Sequence, residues 1–239
     1  MLEHINIADI LFLDIETVPE VYKFEDLDEA RKDLWDTKMK YKQKRNGKTA
    51  GELYDSAGIL AEFGKIVCIS AGAVNVENGK TTLRLKSFCG HDETELLSDF
   101  NELLNDHYSA HRHLLCAHNG KEFDFPYLAR RLLINGLPLP SILDIAGKKP
   151  WEVRHLDTME LWKFGDYKHY TSLNLLTHIF NIPSPKSDIS GADVSRVYWE
   201  ENDLKRIAAY CEKDVQALAQ LFCRYRGEPL IEDEDIVSV

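Results

Sequence analysis

The sequence lacks any apolar run long enough to cross a membrane. No window of its 239 residues approaches 18 consecutive apolar residues. The opening Met-Leu-Glu-His also lacks the basic and then apolar start of a signal peptide. We therefore expect a cytoplasmic protein that makes no membrane contact.

Cysteine is scarce, and its pattern argues against both a disulfide framework and a structural zinc site. The five cysteines are odd in number and widely separated, and no two have C-x-x-C spacing. Most stand among apolar neighbours, which predicts small reduced core residues. They are Cys68, Cys89, Cys116, Cys211 and Cys223.

Positive charge is also in short supply, with 29 Lys and Arg against 40 Asp and Glu and a net charge of −11. This balance argues against a protein that coats nucleic acid, although an enzyme holding a few nucleotides is not excluded. Some of the acidic excess lies in residues 232–235, within an expected flexible tail from about 228 to 239. Residues 38–48 form the one dense basic stretch, either a track for a phosphate backbone or a solvated helix face.

The apolar content of 44% is typical of a globular protein with a substantial core. The run Ile10-Leu-Phe-Leu-Asp-Ile-Glu16 predicts a buried strand. A helix is expected over 25–45, with Leu27, Ala30, Leu34, Met39 and Tyr41 as its apolar positions and Asn46-Gly47 as its end. A second helix is expected over 50–62.

From residue 65 the pattern is that of an antiparallel hairpin with its turn at Asn78-Gly79. Strands and helices then alternate, which predicts an α/β fold whose mixed sheet has three antiparallel strands first, then parallel strands, with helices on both faces. We expect one domain over residues 1–239. The later elements are helices at 93–106, 126–135, 173–180 and 203–224, strands at 114–118 and 154–159, and a loop at 181–191.

Carboxylates stand at three places where this fold could bring them together. Asp14 and Glu16 alternate with apolar residues in the first strand, so both project from one face. Two such charges near a core call for a divalent cation with oxygen ligands; the alternative is a solvated strand end beside Pro19.

Asp124 stands just before a helix, where it either joins that layer of acids or only caps the helix. Tyr210 and Asp214 are four residues apart and share one helical face. The alternative for this pair is a helix-edge aspartate with a core tyrosine.

Three motifs in order resemble the DEDDy branch of the ribonuclease H-like 3′→5′ exonucleases. They are Phe12-Leu-Asp-Ile-Glu-Thr17, His118-Asn-Gly-Lys-Glu-Phe-Asp-Phe-Pro-Tyr-Leu128 and Tyr210-Cys-Glu-Lys-Asp214. The nearest resemblance is to the exonuclease domains of family B DNA polymerases and their free-standing bacterial homologues. The sister branch would have a histidine where Ala209 stands. Leu156-Asp157-Thr158 resembles a further Asp-Thr of these domains, with a turn or cap role as the alternative.

The resemblance implies two divalent ions, Mg²⁺ or Mn²⁺, held by Asp14, Glu16, Asp124 and Asp214. Asp14 would bridge both ions, and Tyr210 would orient the attacking water. The products would be nucleoside 5′-monophosphates released from a single-stranded 3′ end, with DNA favoured over RNA. The residues expected to contact substrate are Asn119, Phe123 and Thr17; Phe125 is a further aromatic that either stacks on a base or belongs to the core.

Two other functions remain open from the sequence. One is a ribonuclease H-like protein that binds nucleic acid or a partner without cutting it. The other is a phosphohydrolase of small nucleotides, which the acidic composition suits. No polymerase module is expected in the same chain, because the sequence ends soon after the last helix.

Overall fold

The computed structural model describes residues 2–166, 168–183 and 188–239. Its described residues form a sheet of six strands in the order β5-β4-β1-β2-β3-β6. The first three strands are antiparallel, and the remaining pairings are parallel, as the sequence predicted. The strands are β1 (Ile10–Pro19), β2 (Gly64–Glu77), β3 (Lys80–Cys89), β4 (Leu114–Ala117), β5 (Leu156–Asp157) and β6 (Ile236–Ser238).

Strand β1 lies in the middle of the sheet, between β2 and β4. It pairs with β2 along its length, whereas its pairing with β4 covers only Ile10, Leu11 and Phe12. The second half of β1 therefore has an edge that β4 leaves open. The register with β2 shifts between Glu16 and Thr17, which is a local irregularity at the end of the acidic motif.

Helices cover both faces of the sheet, as expected. Leu13 and Ile15 of β1 pack in a core with residues of the helices Glu93–His107 and Asp124–Ile134, and Phe12 packs in a second core with residues of the helix Leu204–Arg226. The helices are α1 (Glu29–Asn46), α2 (Glu93–His107), α3 (Asp124–Ile134), α4 (Thr158–Lys163), α5 (Leu173–Ile179), α6 (Val194–Arg196) and α7 (Leu204–Arg226), with a π-helical turn at Val197–Glu201 before α7.

The turn between β2 and β3 has the backbone that its sequence predicts. Asn78 and Gly79 both have positive φ, 54° and 78°, which is the requirement of a two-residue type I′ turn. Helix α1 likewise ends at Gly47, whose φ is 66°.

Residues 20–63 form a long insertion between the paired strands β1 and β2. Its core contains Trp35 and Met39 of α1, while Leu34 and Tyr41 are 62% and 74% exposed. The expectation that Leu34 and Tyr41 face inward is therefore wrong. Burial of the large Trp35 side chain sets the rotation of the helix and turns Leu34 and Tyr41 toward solvent. The expected second helix is a 3-10 helix at Gly51–Ile59.

The C-terminal segment, expected to be a flexible tail, contains an edge strand. Ile236–Ser238 pair with β3, and the N–H of Val239 donates to the carbonyl of Leu85 at 2.9 Å. The tail prediction is wrong for this strand because an unpaired edge of β3 is available to satisfy its backbone groups, which composition does not reveal. The expected strand at 154–159 is only Leu156–Asp157, since Thr158 already begins α4.

The prediction of reduced cysteines is wrong for Cys68 and Cys89, which form a disulfide across β2 and β3. The strand register places them opposite each other with their Cα atoms 4.2 Å apart, whereas 21 residues separate them along the chain. Cys116, Cys211 and Cys223 are free and buried, as predicted. Residues 184–187 of the predicted loop at 181–191 lie outside the described part of the chain.

None of the described helices is both long and apolar enough to span a bilayer.

Candidate active site

The two acids of β1 lie on the face covered by α7. Asp14 is half-buried and Glu16 is 7% exposed. Cys211 of α7 reaches down to this strand, and its thiol lies 3.4 Å from both the carbonyl oxygen and the Oδ2 of Asp14. Ligand atoms of Asp14, Glu16 and Cys211 lie within 4.8 Å of one another. The alternation of β1 thus places both carboxylates in one small volume, as the sequence predicted.

Asp124 enters the same volume from the other side of β1. It is the first residue of α3, in the segment that follows the short strand β4. The backbone N–H of Ile15, on the open edge of β1, lies close enough to this carboxyl to lower its pKa. The residue at the N-cap position is Phe123, which makes no side-chain cap. Asp124 is therefore more than a cap, because it ties the start of α3 to the strand that carries the other acids.

Tyr210 and Asp214 complete the cluster from α7. The Tyr210 hydroxyl and the Asp214 carboxylate form a hydrogen bond across one helical turn. Both residues are half-buried. The charge of Asp214 raises the pKa of Asp14 and of Glu16, so its carboxylate lies near theirs.

Repulsion and burial together determine the protonation of this cluster. Burial first, and the neighbouring carboxylates second, raise the pKa of Asp14 well above its usual value. Burial, then Asp214 and Asp124, do the same to the pKa of Glu16. Burial raises the pKa of Asp124 to about 7, with a further contribution from Asp157. Burial also raises the pKa of Asp214, against the hydrogen bond from Tyr210.

The described side chains supply no compensating cation to this cluster. Across residues 2–166, 168–183 and 188–239, no lysine, arginine or histidine contributes to the pKa of any of these four carboxyls. Burial and the nearby acids raise the pKa of Tyr210 as well, so this side chain is a neutral phenol at physiological pH. The pocket is therefore an acidic volume that favours either protons or a bound cation.

The Asp157 carboxylate organises the loop in front of this pocket. It accepts the N–H groups of Asn119 at 3.0 Å and Lys121 at 3.1 Å. It also accepts those of Met159 and Glu160 at the start of α4. The cap role considered for Asp157 is thus present, and the same carboxylate fixes the turn at Asn119, whose φ is 66°.

The other residues expected to contact substrate surround Tyr127. Thr17 forms a side-chain hydrogen bond with Tyr127, and the Phe123 ring centroid lies 5.3 Å from that of Tyr127. Phe123 is half-buried beside the pocket, whereas Phe125 is fully buried against His155. Phe125 therefore belongs to the core and offers no surface for a base.

Sequence reasoning missed two residues at the site. Cys211 follows Tyr210 and precedes Asp214 by three positions, so helical spacing alone could have placed its thiol beside the acids. Gly191 lies next to Tyr210, because a Cβ built on Gly191 would stand 4.0 Å from the tyrosine hydroxyl oxygen. No sequence signal indicated that contact, which depends on how the loop after residue 187 folds back.

The fold itself has a known counterpart. The chain is similar to the structure of the family B DNA polymerase from the hyperthermophilic archaeon Pyrobaculum calidifontis, with a TM-score of 0.51 and 15% sequence identity. The similarity covers 88% of this chain and 24% of the polymerase, so the chain spans about a quarter of that protein's length. The mixed sheet and its flanking helices thus define an α/β protein with the fold of the family B polymerase exonuclease domain.

A comparison with protein families is more specific. The chain belongs to the family described as "Predicted 3'-5' exonuclease related to the exonuclease domain of PolB", whose sequence profile matches residues 59–229. That match includes Asp124, Tyr210 and Asp214 and begins after Asp14 and Glu16. The resemblance drawn from the three motifs is confirmed at the level of the family.

Proposed function

We propose that this chain is a 3′→5′ exonuclease that hydrolyses phosphodiester bonds at the 3′ end of single-stranded nucleic acid, with DNA favoured, and releases nucleoside 5′-monophosphates. The observation that carries the proposal is the cluster of Asp14, Glu16, Asp124 and Asp214. Their carboxylates come from three separate parts of the chain, and no cationic side chain in the described part of the chain contributes to their pKa values. The cluster favours a divalent metal and a phosphate group over a structural role.

The donor set fits hard divalent ions such as Mg²⁺ or Mn²⁺. These ions prefer carboxylate oxygens and need few of them, which leaves positions for substrate oxygens. Asp14, Glu16, Asp124 and Asp214 would hold the ions, because the three other carboxylates all lie close enough to Asp14 to raise its pKa. When bound, such ions activate water and stabilise the charge that develops on the phosphoryl oxygens.

The remaining groups of the pocket position the reactants. The Tyr210 hydroxyl faces Asp214, so its oxygen can accept a hydrogen bond from a water molecule and hold that water in line with the scissile bond. The thiol of Cys211 donates to the carboxylate of Asp14 and so helps to fix its position. Gly191 lies beside the Tyr210 hydroxyl, where an added Cβ would stand 4.0 Å from the hydroxyl oxygen.

The substrate side of the pocket is formed by the turn at Asn119 and the surface near Phe123. Asp157 locks the backbone of Asn119, so its amide can contact the terminal nucleotide at little entropic cost. Phe123 offers a half-buried ring on which a base can stack without sequence preference. Thr17 lies on the same side and is already bound to Tyr127, which makes it a supporting contact.

The test uses 5′-labelled single-stranded DNA and RNA oligonucleotides with Mg²⁺, Mn²⁺ or EDTA. We expect a ladder of shortened products with metal, and loss of at least about 1,000-fold in rate for Asp14→Ala and Asp214→Ala. Asp99→Ala, an exposed aspartate on α2, serves as the matched control. Cleavage that persists in EDTA or in both variants would refute the assignment.

Two other outcomes would redirect the function. Tight binding of oligonucleotides by the wild type without cleavage under any metal would favour a non-catalytic binding protein. Hydrolysis of mononucleotide esters without any product ladder would favour a small-nucleotide phosphohydrolase, which the net charge of −11 also suits.

A further inference from the structure

The insertion between β1 and β2 carries an exposed basic surface on α1. Residues 38–48 contain six of the chain's 29 Lys and Arg and none of its 40 acids. Every one of the six cationic residues is exposed. We define the basic stripe as Leu34, Lys38, Tyr41, Lys42 and Arg45, which follow one another at helical spacing on one side of α1.

Neither ion pairs nor the helix dipole accounts for the positive charge of the stripe. The N-terminal half of α1 has local ion pairs, such as Lys32 with Glu29 at 3.0 Å. Within the described residues, the cations of 38–48 form no salt bridge. Cations in the last turn favour the helix dipole, but Lys38 lies two turns before the end at Asn46. Like charges at i and i+4, such as Lys38 and Lys42, destabilise a helix by about 0.2–0.5 kcal/mol.

Apolar side chains are interleaved with these charges. Leu34 is 62% exposed and Tyr41 is 74% exposed, whereas Trp35 and Met39 of the same helix are buried in the core of the insertion. Cations alternating with an exposed aromatic ring are the pattern by which proteins hold single-stranded nucleic acid, with the phosphates on the cations and a base on the ring.

The insertion that carries the stripe is anchored at the end of β1 that holds the acids. Gly58 packs against the backbone of Val18, two residues beyond Glu16, since a Cβ on Gly58 would lie 3.0 Å from the Val18 carbonyl carbon. The Tyr127 hydroxyl, one turn along α3 from Asp124, donates to the Gly58 carbonyl at 2.7 Å. The insertion is therefore attached to both the strand and the helix that carry the acids.

Trp35 fixes α1 to this support. Its indole N–H donates to the carbonyl of Ala50 at 2.8 Å, and its ring packs on Tyr54 and Phe63 at centroid distances of 5.2 and 5.0 Å. The 18 residues of α1 span about 27 Å. The basic stripe itself, from Leu34 to Arg45, covers about 17 Å of that length, which at about 3.4 Å per phosphate suits roughly five nucleotides.

We propose that the basic stripe of α1 binds the single strand upstream of the 3′ end and so makes the enzyme prefer longer substrates. This inference rests on the proposed function. Family membership does not supply it, because α1 lies outside the matched residues 59–229.

The test measures binding of fluorescein-labelled dT20 and dT3 by anisotropy in EDTA, where no cleavage is expected. The variant is Lys38→Gln, Lys42→Gln and Arg45→Gln combined. Its matched control is Arg84→Gln, Lys148→Gln and Lys149→Gln, an equal loss of exposed charge outside α1. Removing three phosphate contacts should weaken dT20 binding about 100-fold at 0.1 M salt and reduce the slope of log Kd against log salt by about 2.

The control should bind dT20 within about threefold of the wild type, and binding of dT3 should not change in any variant. Tyr41→Ala should weaken dT20 binding about fivefold or more with an unchanged salt slope. An α1 variant that binds dT20 as the wild type does would overturn the proposal. So would binding of the wild type to vesicles of phosphatidylserine and phosphatidylcholine but not to dT20.

Cleavage separates this inference from the proposed function. If both hold, then with Mn²⁺ the α1 variant should cleave dT3 at the wild-type rate and dT20 more slowly at limiting substrate. If the wild type binds dT20 through α1 but cleaves neither oligonucleotide, the exonuclease proposal fails while the binding surface stands. If the wild type cleaves dT20 and the α1 variant cleaves it equally well, only the binding surface fails.

Discussion

Replacing Asp124 by asparagine should stabilise the metal-free protein at high pH. The carboxyl is 3% exposed and has a pKa of about 7 in the folded protein, against a value of 3.8 for the ordinary side chain. The folded protein therefore binds this proton more tightly than the unfolded chain does. Its contribution to stability is fully present below pH 3.8 and is lost as the pH rises through about 7.

The magnitude follows from the size of the pKa shift. About three pKa units correspond to about 4 kcal/mol of free energy of unfolding that wild type loses between acidic and alkaline conditions. Asparagine stays neutral at every pH and keeps an oxygen to accept the Ile15 N–H. For a chain of this length, Asp124→Asn should therefore have a Tm about 10 °C above that of wild type near pH 8. Near pH 4 the two proteins should have the same Tm.

Differential scanning calorimetry in excess EDTA across this pH range measures the effect. Asp99→Asn, an exposed residue of α2, is the control and should follow the wild type at each pH. Added Mg²⁺ or Mn²⁺ should raise the Tm of the wild type at high pH, and raise that of Asp124→Asn much less. A Tm difference between Asp124→Asn and wild type that does not depend on pH would refute the idea that this buried carboxyl is protonated in the metal-free protein.

Three further substitutions test separate parts of the structure. Tyr210→Phe should lower kcat about 100-fold with KM unchanged, because it removes only the hydroxyl that orients water. Asp157→Ala should lower the free energy of unfolding by about 2–4 kcal/mol in urea titrations, because four backbone N–H groups lose their acceptor. Arg131→Met should lower the free energy of unfolding by about 3–5 kcal/mol, because Glu93 would remain buried without its ion-pair partner.

Each of these predictions has a clear contrary result. Tyr210→Phe with wild-type kcat would show that the hydroxyl takes no part in the reaction. If Asp157→Ala has the same midpoint of urea unfolding as the wild type, water replaces the lost hydrogen bonds. For Arg131, the charge-neutral pair Arg131→Met with Glu93→Gln should recover part of the lost stability, and no recovery would attribute the effect to packing.

The order and type of most elements could be predicted from the sequence because they depend on local chemistry. Asn78 and Gly79 specify their turn through the φ angles they tolerate, and Gly47 ends α1 for the same reason. The alternation of Asp14 and Glu16 with apolar residues fixes their common face once β1 is a strand. Four-residue spacing did the same for Tyr210 and Asp214.

The errors arose where the outcome depended on contacts distant along the chain. The strand β6 forms because the edge of β3 is open, and the disulfide of Cys68 with Cys89 forms because the register of β2 and β3 places them opposite each other. The rotation of α1 depends on the pocket that Tyr54 and Phe63 provide for Trp35. None of these relations is present in any short window of sequence.

The sequence by itself determined which side chains are candidates for the proposed chemistry: the carboxylates, the tyrosine, and the basic residues of α1. Only the tertiary structure decided that Asp124 binds the edge of β1, that Cys211 touches Asp14, and that α1 is attached beside the acids. The physical reason is that residue type and helical or strand period are local properties. The convergence of the carboxylates in one buried volume depends on how separate elements pack, and it is that convergence that raises their pKa values.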